Sequence, residues 1–392
     1  MNENTFRNHT SRDMIAPKLI TLENSIVNTM TELGDSSNVI NMAAGYTDFH
    51  CSPVLIDLVQ KHISEGINEF APANGVMALR EKVSKKIESL YGHSYNPETE
   101  ITITAGATQA LFTAITALVR EGDEVVVFEP AYESYVPAIE INGGKPVFVP
   151  LKGSDFHIDW EEVQKIITGN TRMIIINNPQ NPAGMVFSEL DMLRLQKIIN
   201  GTRITVLADE IFEHMVFNGN SHQSVASYPK LAERSVIITS FGETYHVSGW
   251  QIGYCAGPAN VMKELRKVQH VMMQTVSSPF QWALSEFLDL KEEYLHLSKF
   301  YMEKRDRFNE LMAATRFRPV ISHGTFFQLF SYEAISEEND RDFAMRLVQE
   351  AGVATIPISA FYHEKSKKHL LRFNFARTDE HLQEVAQRLS KY

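Results

Sequence analysis

The residues of this chain best suited to chemistry stand where short apolar runs end. Asp209 and Glu210 close the run TVLADE at residues 205–210. A carboxylate can move a proton, pair with a ligand cation or hold a metal ion, and burying one without a partner is costly. Two adjacent acids at such a point therefore favour a catalytic or ligand-facing role over a structural one.

Two further segments carry groups that bind anions or polar ligands. Ala107 and Thr108 follow the run EITITAG at the start of a predicted helix. Free amide groups and the positive end of the helix dipole favour an anion such as phosphate there. Asn181 lies in NNPQNPAG and can donate to a ligand. Each segment also has an ordinary interpretation, since the first suits a plain helix cap and the second suits a turn.

Seven β-branched runs predict the sheet that must position these groups. They alternate with helical segments such as TQALFTAITALVR and ELDMLRLQKIING, which is typical of a mainly parallel α/β sheet. Their continuous apolar character indicates burial on both faces. In such sheets ligands bind beyond the carboxyl ends of the strands, where these polar residues lie. The runs are 100–106, 124–130, 145–151, 172–178, 205–210, 235–241 and 253–258.

The pattern changes after about residue 285. A long polar-studded helix, EEYLHLSKFYMEKRDRFNELMA, is followed by hairpin-like strands around GTFFQLFSY and LLRFNFAR. We therefore expect three parts: an N-terminal arm over residues 1–45 that joins the smaller domain, a large α/β domain over 46–285, and a small α+β domain over 286–392.

Composition and charge narrow the function classes. The chain has 392 residues and a net charge of −11, which argues against nucleic acid or an anionic membrane as the main partner. Its two cysteines are too few for a disulfide framework, and the polar start MNENTFRNHTSRD lacks the apolar core of a signal peptide. No apolar run reaches the roughly 20 residues of a membrane helix. We expect a cytoplasmic protein with a small-molecule or protein ligand.

Eight segments, in this order and spacing, resemble the class I and II aminotransferases of pyridoxal-phosphate fold type I. The methionine and kynurenine (glutamine-type) aminotransferases are the most similar subgroup, and the resemblance covers essentially the whole chain. It implies a mostly parallel seven-stranded sheet, a smaller α+β domain, and a homodimer with its active site at the subunit interface. The segments are AAGYTDFHCSP, APANGVMALRE, ITAGATQALFTAITALV, FEPAYESYVPAI, NNPQNPAG, LADEIFEH, SFGETYHVSGWQIGYCAGP and LLRFNFA.

The resemblance implies cofactor roles for residues that match the family's motifs. Ala107 and Thr108 match the loop that binds the phosphate of pyridoxal phosphate, and Ser240 matches a hydroxyl that bonds the same phosphate. Tyr132 matches the aromatic ring that stacks on the pyridine. Asn181 matches the residue that bonds the phenolic oxygen of the cofactor.

Three further matches concern the ring nitrogen and the substrate. Asp209 matches the carboxylate that pairs with the protonated pyridine nitrogen and makes the ring an electron sink. Arg372 matches the arginine that takes the α-carboxylate of the substrate in a bidentate fork. Gly45 and Asn181 match residues beside that carboxylate.

Four positions depart from the family pattern, all on the cofactor side. Glu243 stands at the position of the Schiff-base lysine and cannot form an imine, while Gln251 replaces the cation that holds the phosphate. Phe212 and Phe70 replace tyrosines that reach the phenolic oxygen and, across the dimer interface, the phosphate. Each unit-charge contact is worth on the order of 4 kcal/mol at about 4 Å and an effective dielectric of 20. The resemblance thus implies pyridoxal phosphate, whereas these residues make covalent binding doubtful and allow a site without cofactor.

Several interpretations of Glu243 stay open. A laboratory substitution would change one residue only and leaves Gln251, Phe212 and Phe70 unexplained. Decay of an unused site does not account for the retained Arg372. A third interpretation is cofactor-independent work on a carboxylate-bearing ligand.

In that third interpretation, Glu243 acts as a general acid or base. Asp209 then lies close enough to raise the pKa of Glu243 by like-charge repulsion. A fourth interpretation supplies a lysine from elsewhere in the fold, since Lys230 and Lys263 are the closest in sequence. His246, three residues after Glu243, could join the two acids, but a structural role is favoured.

Three function classes therefore remain: an aminotransferase-family enzyme, a cofactor-free enzyme, and a non-catalytic protein that binds an amino acid or a protein partner. No dedicated ligand spacing supports a metal site. Trp250 is expected to hold the loop that presents position 243.

Overall fold

A computed structural model describes residues 19, 25–364 and 368–392. Most of the predicted N-terminal arm before residue 25, with its polar start, lies outside the described residues. Within the described residues, thirteen strands form three sheets. The strands are β1 (Ile40–Asn41), β2 (Ile101–Thr104), β3 (Glu124–Glu129), β4 (Lys145–Pro150), β5 (Thr171–Asn177), β6 (Thr205–Asp209), β7 (Ser235–Ser240), β8 (Gly253–Ala256), β9 (Arg318–Pro319), β10 (Phe327–Ser331), β11 (Val353–Ala354), β12 (Ile356–Pro357) and β13 (Leu370–Asn374).

Helices cover these sheets and connect their strands. None of the helices in the described ranges is long and apolar enough to cross a membrane. The α-helices of the described residues are α1 (Ile26–Gly34), α2 (Pro53–Ser64), α3 (Met77–Tyr91), α4 (Gly106–Leu118), α5 (Tyr135–Ile141), α6 (Trp160–Ile166), α7 (Glu189–Ile199), α8 (Pro229–Ala232), α9 (Phe241–Tyr245), α10 (Ala259–Met272), α11 (Ser278–Phe287), α12 (Glu292–Leu295), α13 (Leu297–Met312), α14 (Asp340–Ala351) and α15 (Asp379–Leu389).

The seven predicted strands form one sheet in the order β2-β8-β7-β6-β5-β3-β4. The neighbours from β7 to β4 pair in parallel, and β8 alone runs antiparallel to the strands on both of its sides. The prediction of a mostly parallel seven-stranded α/β sheet is therefore confirmed.

Alternate residues of the central strands are buried on opposite faces of this sheet. In β3, Val125 and Val127 belong to one hydrophobic cluster together with residues of α4, whereas Val126 and Phe128 belong to the other. Burying such a side chain contributes roughly 1.5–3 kcal/mol. The burial on both faces that the continuous apolar runs predict is thus confirmed.

The antiparallel strand β8 brings a loop to the carboxyl ends of its neighbours. Gly253, its first residue, pairs with Thr104 at the end of β2 and with Ser240 at the end of β7. The amino end of an antiparallel strand lies beside the carboxyl ends of its neighbours, because the chains run in opposite directions. Gln251, two residues earlier, therefore lies at the edge where a ligand is expected.

The second sheet places an arginine in a buried strand. Its order is β12-β13-β10-β9, and Leu329 of β10 lies opposite Arg372 of β13. The strands β10 and β13, predicted as hairpin-like, do pair antiparallel. They do not form a simple hairpin, because α14, β11 and β12 lie between them in the chain. A small third sheet pairs β1 with β11 in parallel. It joins the chain before residue 45 to the C-terminal part, while the domain boundaries at 45 and 285 stay predictions.

The long helix predicted after residue 290 is divided into α12 and α13 at His296. The His296 ring nitrogen Nδ1 lies 2.5 Å from the carbonyl oxygen of Glu292, which the His296 amide approaches only to 3.4 Å. A side chain that competes for a helical carbonyl weakens the backbone bond at that point. The expectation of a single helix was wrong here.

Candidate active site

A cavity of about 260 Å³ lies at the carboxyl ends of the central strands. Eleven of the twelve predicted site residues line it. The twelfth, Phe70, is 76% exposed and lies outside this cavity. The predicted residues that the fold brings together are Gly45, Ala107, Thr108, Tyr132, Asn181, Asp209, Phe212, Ser240, Glu243, Gln251 and Arg372.

Asp209 ends β6 with its side chain buried in the cavity wall. The hydroxyl of Tyr135, on α5, donates to Asp209 Oδ2 over 2.5 Å, and the amide of Ile211 donates to Oδ1 over 3.4 Å. Burial raises the pKa of Asp209 from its ordinary 3.8 to about 7. The two hydrogen bonds oppose that rise, whereas the nearby charge of Glu243 adds to it. This carboxyl therefore exchanges a proton near neutral pH.

A chain of amide side chains links Asp209 to the arginine. Asn177 Nδ2 donates to the backbone carbonyl of Asp209 over 3.1 Å, and Asn177 Oδ1 accepts from the backbone N–H of Asn181 over 2.7 Å. Asn181 Oδ1 in turn accepts from Arg372 Nη1 over 3.1 Å. Arg372 thus orients the Asn181 side chain, with the side-chain oxygen of Asn181 toward the guanidinium and its NH₂ group directed away.

Arg372 is a buried cation on the opposite wall. It is 4% exposed, its Nη2 donates to the Ala43 carbonyl over 2.8 Å, and its guanidinium lies 4.0 Å from the centre of the Phe327 ring. Its Nε has no hydrogen-bond partner in the described part of the chain, and no carboxylate there forms an ion pair with it. Burial lowers the pKa of Arg372 to about 9, and Glu133 partly offsets this effect.

Glu243 lies on the short helix α9, directly beyond the end of β7. Its Oε2 is buried and has no hydrogen-bond partner among the described residues. Burial raises the pKa of Glu243, and a hydrogen bond from Ser240 opposes the rise. Repulsion between the two carboxyl groups adds to the rise in the pKa of Asp209, while burial is the largest cause of the rise in both groups.

The start of α4 forms the end of the cavity where a phosphate was predicted. Ala105 caps this helix without a side-chain bond, so the first-turn amides at Ala107 and Thr108 keep no capping oxygen. The plain helix cap considered from the sequence is therefore not formed. Thr108 Oγ1 lies 3.3 Å from the Tyr132 hydroxyl, and Gln251 Nε2 donates to the Ser248 carbonyl over 2.7 Å.

The cavity holds one cation among the described residues that line it, and this is Arg372. No lysine of residues 25–364 and 368–392 lines it. Lys230 lies on α8, and Lys263 lies on α10 at a different surface depression. The described part of the chain thus supplies no amine nucleophile to this cavity.

Several lining residues were not predicted. Glu133 follows β3, and its place just beyond a strand in FEPAYESYVPAI was a signal that could have identified it. The same signal could have identified Tyr135, which does not line the cavity but donates to Asp209. Phe327 and Phe361 come from the second sheet and a short 3₁₀ turn. Nothing in their local sequence distinguishes them from core residues, because their position depends on how the two sheets pack.

The neighbours of Glu243 have structural contacts. His246 ends α9 with a positive φ of 57°, and its Nε2 lies 3.0 Å from the Tyr301 hydroxyl. Trp250 stacks on Phe280 at 4.7 Å between ring centres. These contacts support the structural interpretation of both residues. In the described ranges, no group of three or more His, Cys, Asp or Glu side chains could hold a metal ion.

The sequence and the fold are similar to those of known aminotransferases. Residues 37–389 match the family model for aminotransferase class I and II. Methionine aminotransferase from Escherichia coli is 40% identical over 373 residues, covering 95% of this chain and 97% of the relative. Kynurenine–oxoglutarate transaminase from Dictyostelium discoideum is 31% identical, with 90% and 91% covered. The structure of YbdL from Escherichia coli, described as having a methionine aminotransferase function, matches with a TM-score of 0.94 and 39% identity over 97% of this chain and 100% of that one.

Proposed function

Because the chain belongs to the aminotransferase class I and II family, we propose that its cavity binds an amino-acid-like carboxylate ligand without covalent pyridoxal phosphate. The resemblance and the fold type predicted from the sequence are confirmed by the family match and by the similar structures. Arg372 is the observation that carries the proposal. A guanidinium buried to 96%, with an unpartnered Nε, is costly unless an anion joins it, and a carboxylate matches its fork.

The residues of the cavity do not fit pyridoxal phosphate as a covalently held cofactor. An imine requires an amine, whereas Glu243 supplies a carboxylate and the described lining residues include no lysine. The end near Thr108 has helix amides for a phosphate, but Gln251 is neutral there. A dianion would also lie in one cavity with Glu133, Asp209 and Glu243. We therefore propose no reaction step through this cofactor.

A cofactor-independent enzyme is the second candidate. Asp209, with a pKa of about 7, can hold or release a proton at neutral pH, and burial also raises the pKa of Glu243. A carboxyl group that titrates near neutral pH, as Asp209 does, suits general acid–base catalysis on a bound carboxylate ligand. Proton exchange from Cα of a bound amino acid into deuterated water, measured by NMR, tests this candidate.

We also propose that the protein is a homodimer. Phe70 is 76% exposed and Val271 is 86% exposed, so both offer apolar surface that a partner subunit could cover. Exposure of Phe70 suits a residue whose counterpart in the family reaches across the subunit interface. Sedimentation equilibrium measures the oligomeric state, and the mass of a single chain at micromolar concentration would contradict the proposal.

Replacing Arg372 tests the carboxylate site. Isothermal titration calorimetry with the twenty amino acids and their 2-oxo acids should identify at least one ligand. Arg372→Met should then weaken its binding on the order of 100-fold, since the loss of a buried charge partner costs about 2–5 kcal/mol. Arg372→Lys keeps the charge without the fork and should give an intermediate loss. Unchanged affinity in a folded Arg372→Met protein would refute the proposal.

Added pyridoxal phosphate tests the absence of an imine. We expect no borohydride-reducible absorbance band in the unaltered protein. The double variant Glu243→Lys, Gln251→Arg should acquire one, because it supplies both an amine and a cation. A reducible band in the unaltered protein would show an imine on another lysine and would overturn the non-covalent proposal.

A further inference from the structure

The cavity combines an excess of negative groups with a single guanidinium. Among the described residues that line it, Glu133, Asp209 and Glu243 carry carboxyl groups, and Arg372 carries the positive charge. A purely anionic ligand would neutralise Arg372 but would meet repulsion from the remaining acids. The charge pattern therefore favours a ligand that carries a positive group beside its carboxylate.

Two buried polar atoms of opposite character lack partners in this cavity. Glu243 Oε2 is an acceptor, Arg372 Nε is a donor, and neither has a hydrogen-bond partner in the described part of the chain. The two side chains form no ion pair with each other in that part, although both line the same space of about 260 Å³. Buried polar groups are almost always partnered in native proteins, and a ligand with both a donor and an acceptor would complete these two in one cavity.

We infer that the ligand is a free α-amino acid bound as its zwitterion, with its carboxylate on Arg372 and its ammonium group on Glu243. This inference rests on the proposed function and adds to it the receptor for the amino group. No bond is made or broken. Glu243 thus holds, by charge and hydrogen bonds, the group for which an aminotransferase uses a covalent bond.

The other two acids of the cavity already accept hydrogen bonds from the protein, so Glu243 is the acid best able to bind the ammonium group. Asp209 already accepts hydrogen bonds from Tyr135 and from the Ile211 amide. Glu133 Oε2 accepts from the Ser25 hydroxyl over 2.9 Å. Glu243 is the acid with a buried oxygen left free among the described lining residues. An ammonium group has three donors and can satisfy that oxygen.

The same geometry selects against the 2-oxo acid of the same side chain. A keto oxygen is an acceptor, and it would face the carboxylate of Glu243 with no donor between them. Leaving a buried charge without a partner costs on the order of 100-fold in affinity. The site should therefore discriminate between two molecules that an aminotransferase binds in turn.

Three matched probes test the inference by isothermal titration calorimetry: L-methionine, its 2-oxo acid 4-methylthio-2-oxobutanoate, and 3-methylthiopropylamine. They share one side chain and differ only in the amino and carboxyl groups. We expect L-methionine to bind on the order of 100-fold more tightly than either of the others, since each lacks one charge partner. If methionine does not bind, the amino acid with the highest affinity in the panel of twenty replaces it, with its own oxo acid and amine.

Glu243→Gln is the decisive variant, because it keeps the shape and removes the charge. It should reduce the preference for the amino acid over the oxo acid to about 10-fold or less. Glu133→Gln is the matched control, since it removes an equal charge from the same cavity. A small change in that preference is expected for the control, because Glu133 already has a hydroxyl partner. Circular dichroism melts establish that both variants fold.

The outcomes separate this inference from the proposed function. If oxo acid and amino acid bind equally and Arg372→Met abolishes both, the carboxylate site stands and the role of Glu243 is refuted. If Glu243→Gln leaves the preference intact, the ammonium lies elsewhere and the inference is also overturned. If no amino acid or oxo acid binds, the proposed function itself fails.

Discussion

Replacing Asp209 by asparagine should stabilise the folded protein at alkaline pH, although it removes a buried hydrogen-bonded group. The pKa of Asp209 is about 7 when folded, against 3.8 as its ordinary value. Between these pH values the folded chain binds more protons at this site than the unfolded chain does. The free energy of unfolding therefore falls as pH rises from about 4 to 7, and it stays low above that. A rise of about 3 pKa units corresponds to roughly 4 kcal/mol.

Asparagine has almost the same shape and does not ionise. The side-chain amide of the asparagine should still bond the Tyr135 hydroxyl, but a bond to a carboxyl group is replaced by a bond to an amide. We expect this change to lower the free energy of unfolding by about 1 kcal/mol. The variant should therefore be more stable than the unaltered protein by roughly 3 kcal/mol at pH 8. The two proteins should approach equal stability near pH 5, where Asp209 is protonated in the folded chain.

Urea unfolding followed by tryptophan fluorescence between pH 5 and pH 9 measures this difference, with refolding on dilution as the test of reversibility. Tyr135→Phe is the opposing variant, since it removes a hydrogen bond that lowers the pKa of Asp209. It should make the loss of stability with rising pH larger. If Asp209→Asn is less stable than the unaltered protein by the same amount at pH 5 and at pH 8, burial does not penalise the ionised Asp209, and the reasoning is refuted.

Two further predictions concern the stability of the fold. Gly106→Ala should cost about 1–2 kcal/mol, because φ is +75° there and a Cβ would lie 2.7 Å from Gln251 Oε1. Gly45→Ala, with open space around it, is the control and should leave the melting temperature unchanged. Lys86→Met should cost about 3–5 kcal/mol in urea unfolding, because it leaves Glu213 buried without its partner at 2.5 Å. Adding Glu213→Gln should recover much of this loss, and no recovery would contradict the assignment.

Most of the strand-end residues could be predicted from the sequence. Asp209 ends one continuous apolar run, and Thr108 follows another, 100–106, by two residues. Parallel strands present their carboxyl ends at one edge, so the order of runs and loops predicts that these side chains share a site. The resemblance to the aminotransferases added Arg372, whose local sequence reads as an ordinary strand of a smaller sheet.

The electrostatic behaviour of the acids could not be predicted in the same way. Proximity of Asp209 and Glu243 in the site was expected, but burial is the largest cause of the raised pKa of each group. Burial is a property of everything packed around a group, and no short stretch of sequence records it.

By itself, the sequence determined the seven-stranded sheet, the edge where its polar residues meet, and the presence of a carboxylate at position 243. These features are local, because they depend on hydrophobic period, on turn residues and on the identity of one side chain. The tertiary structure decided which groups lie without partners. It set Arg372 against the rings of Phe327 and Phe361, and it left one oxygen of Glu243 buried and without a hydrogen-bond partner among the described residues. The physical reason is that a hydrogen bond or its absence is settled by segments far apart in the chain, once their packing has excluded water from the space between them.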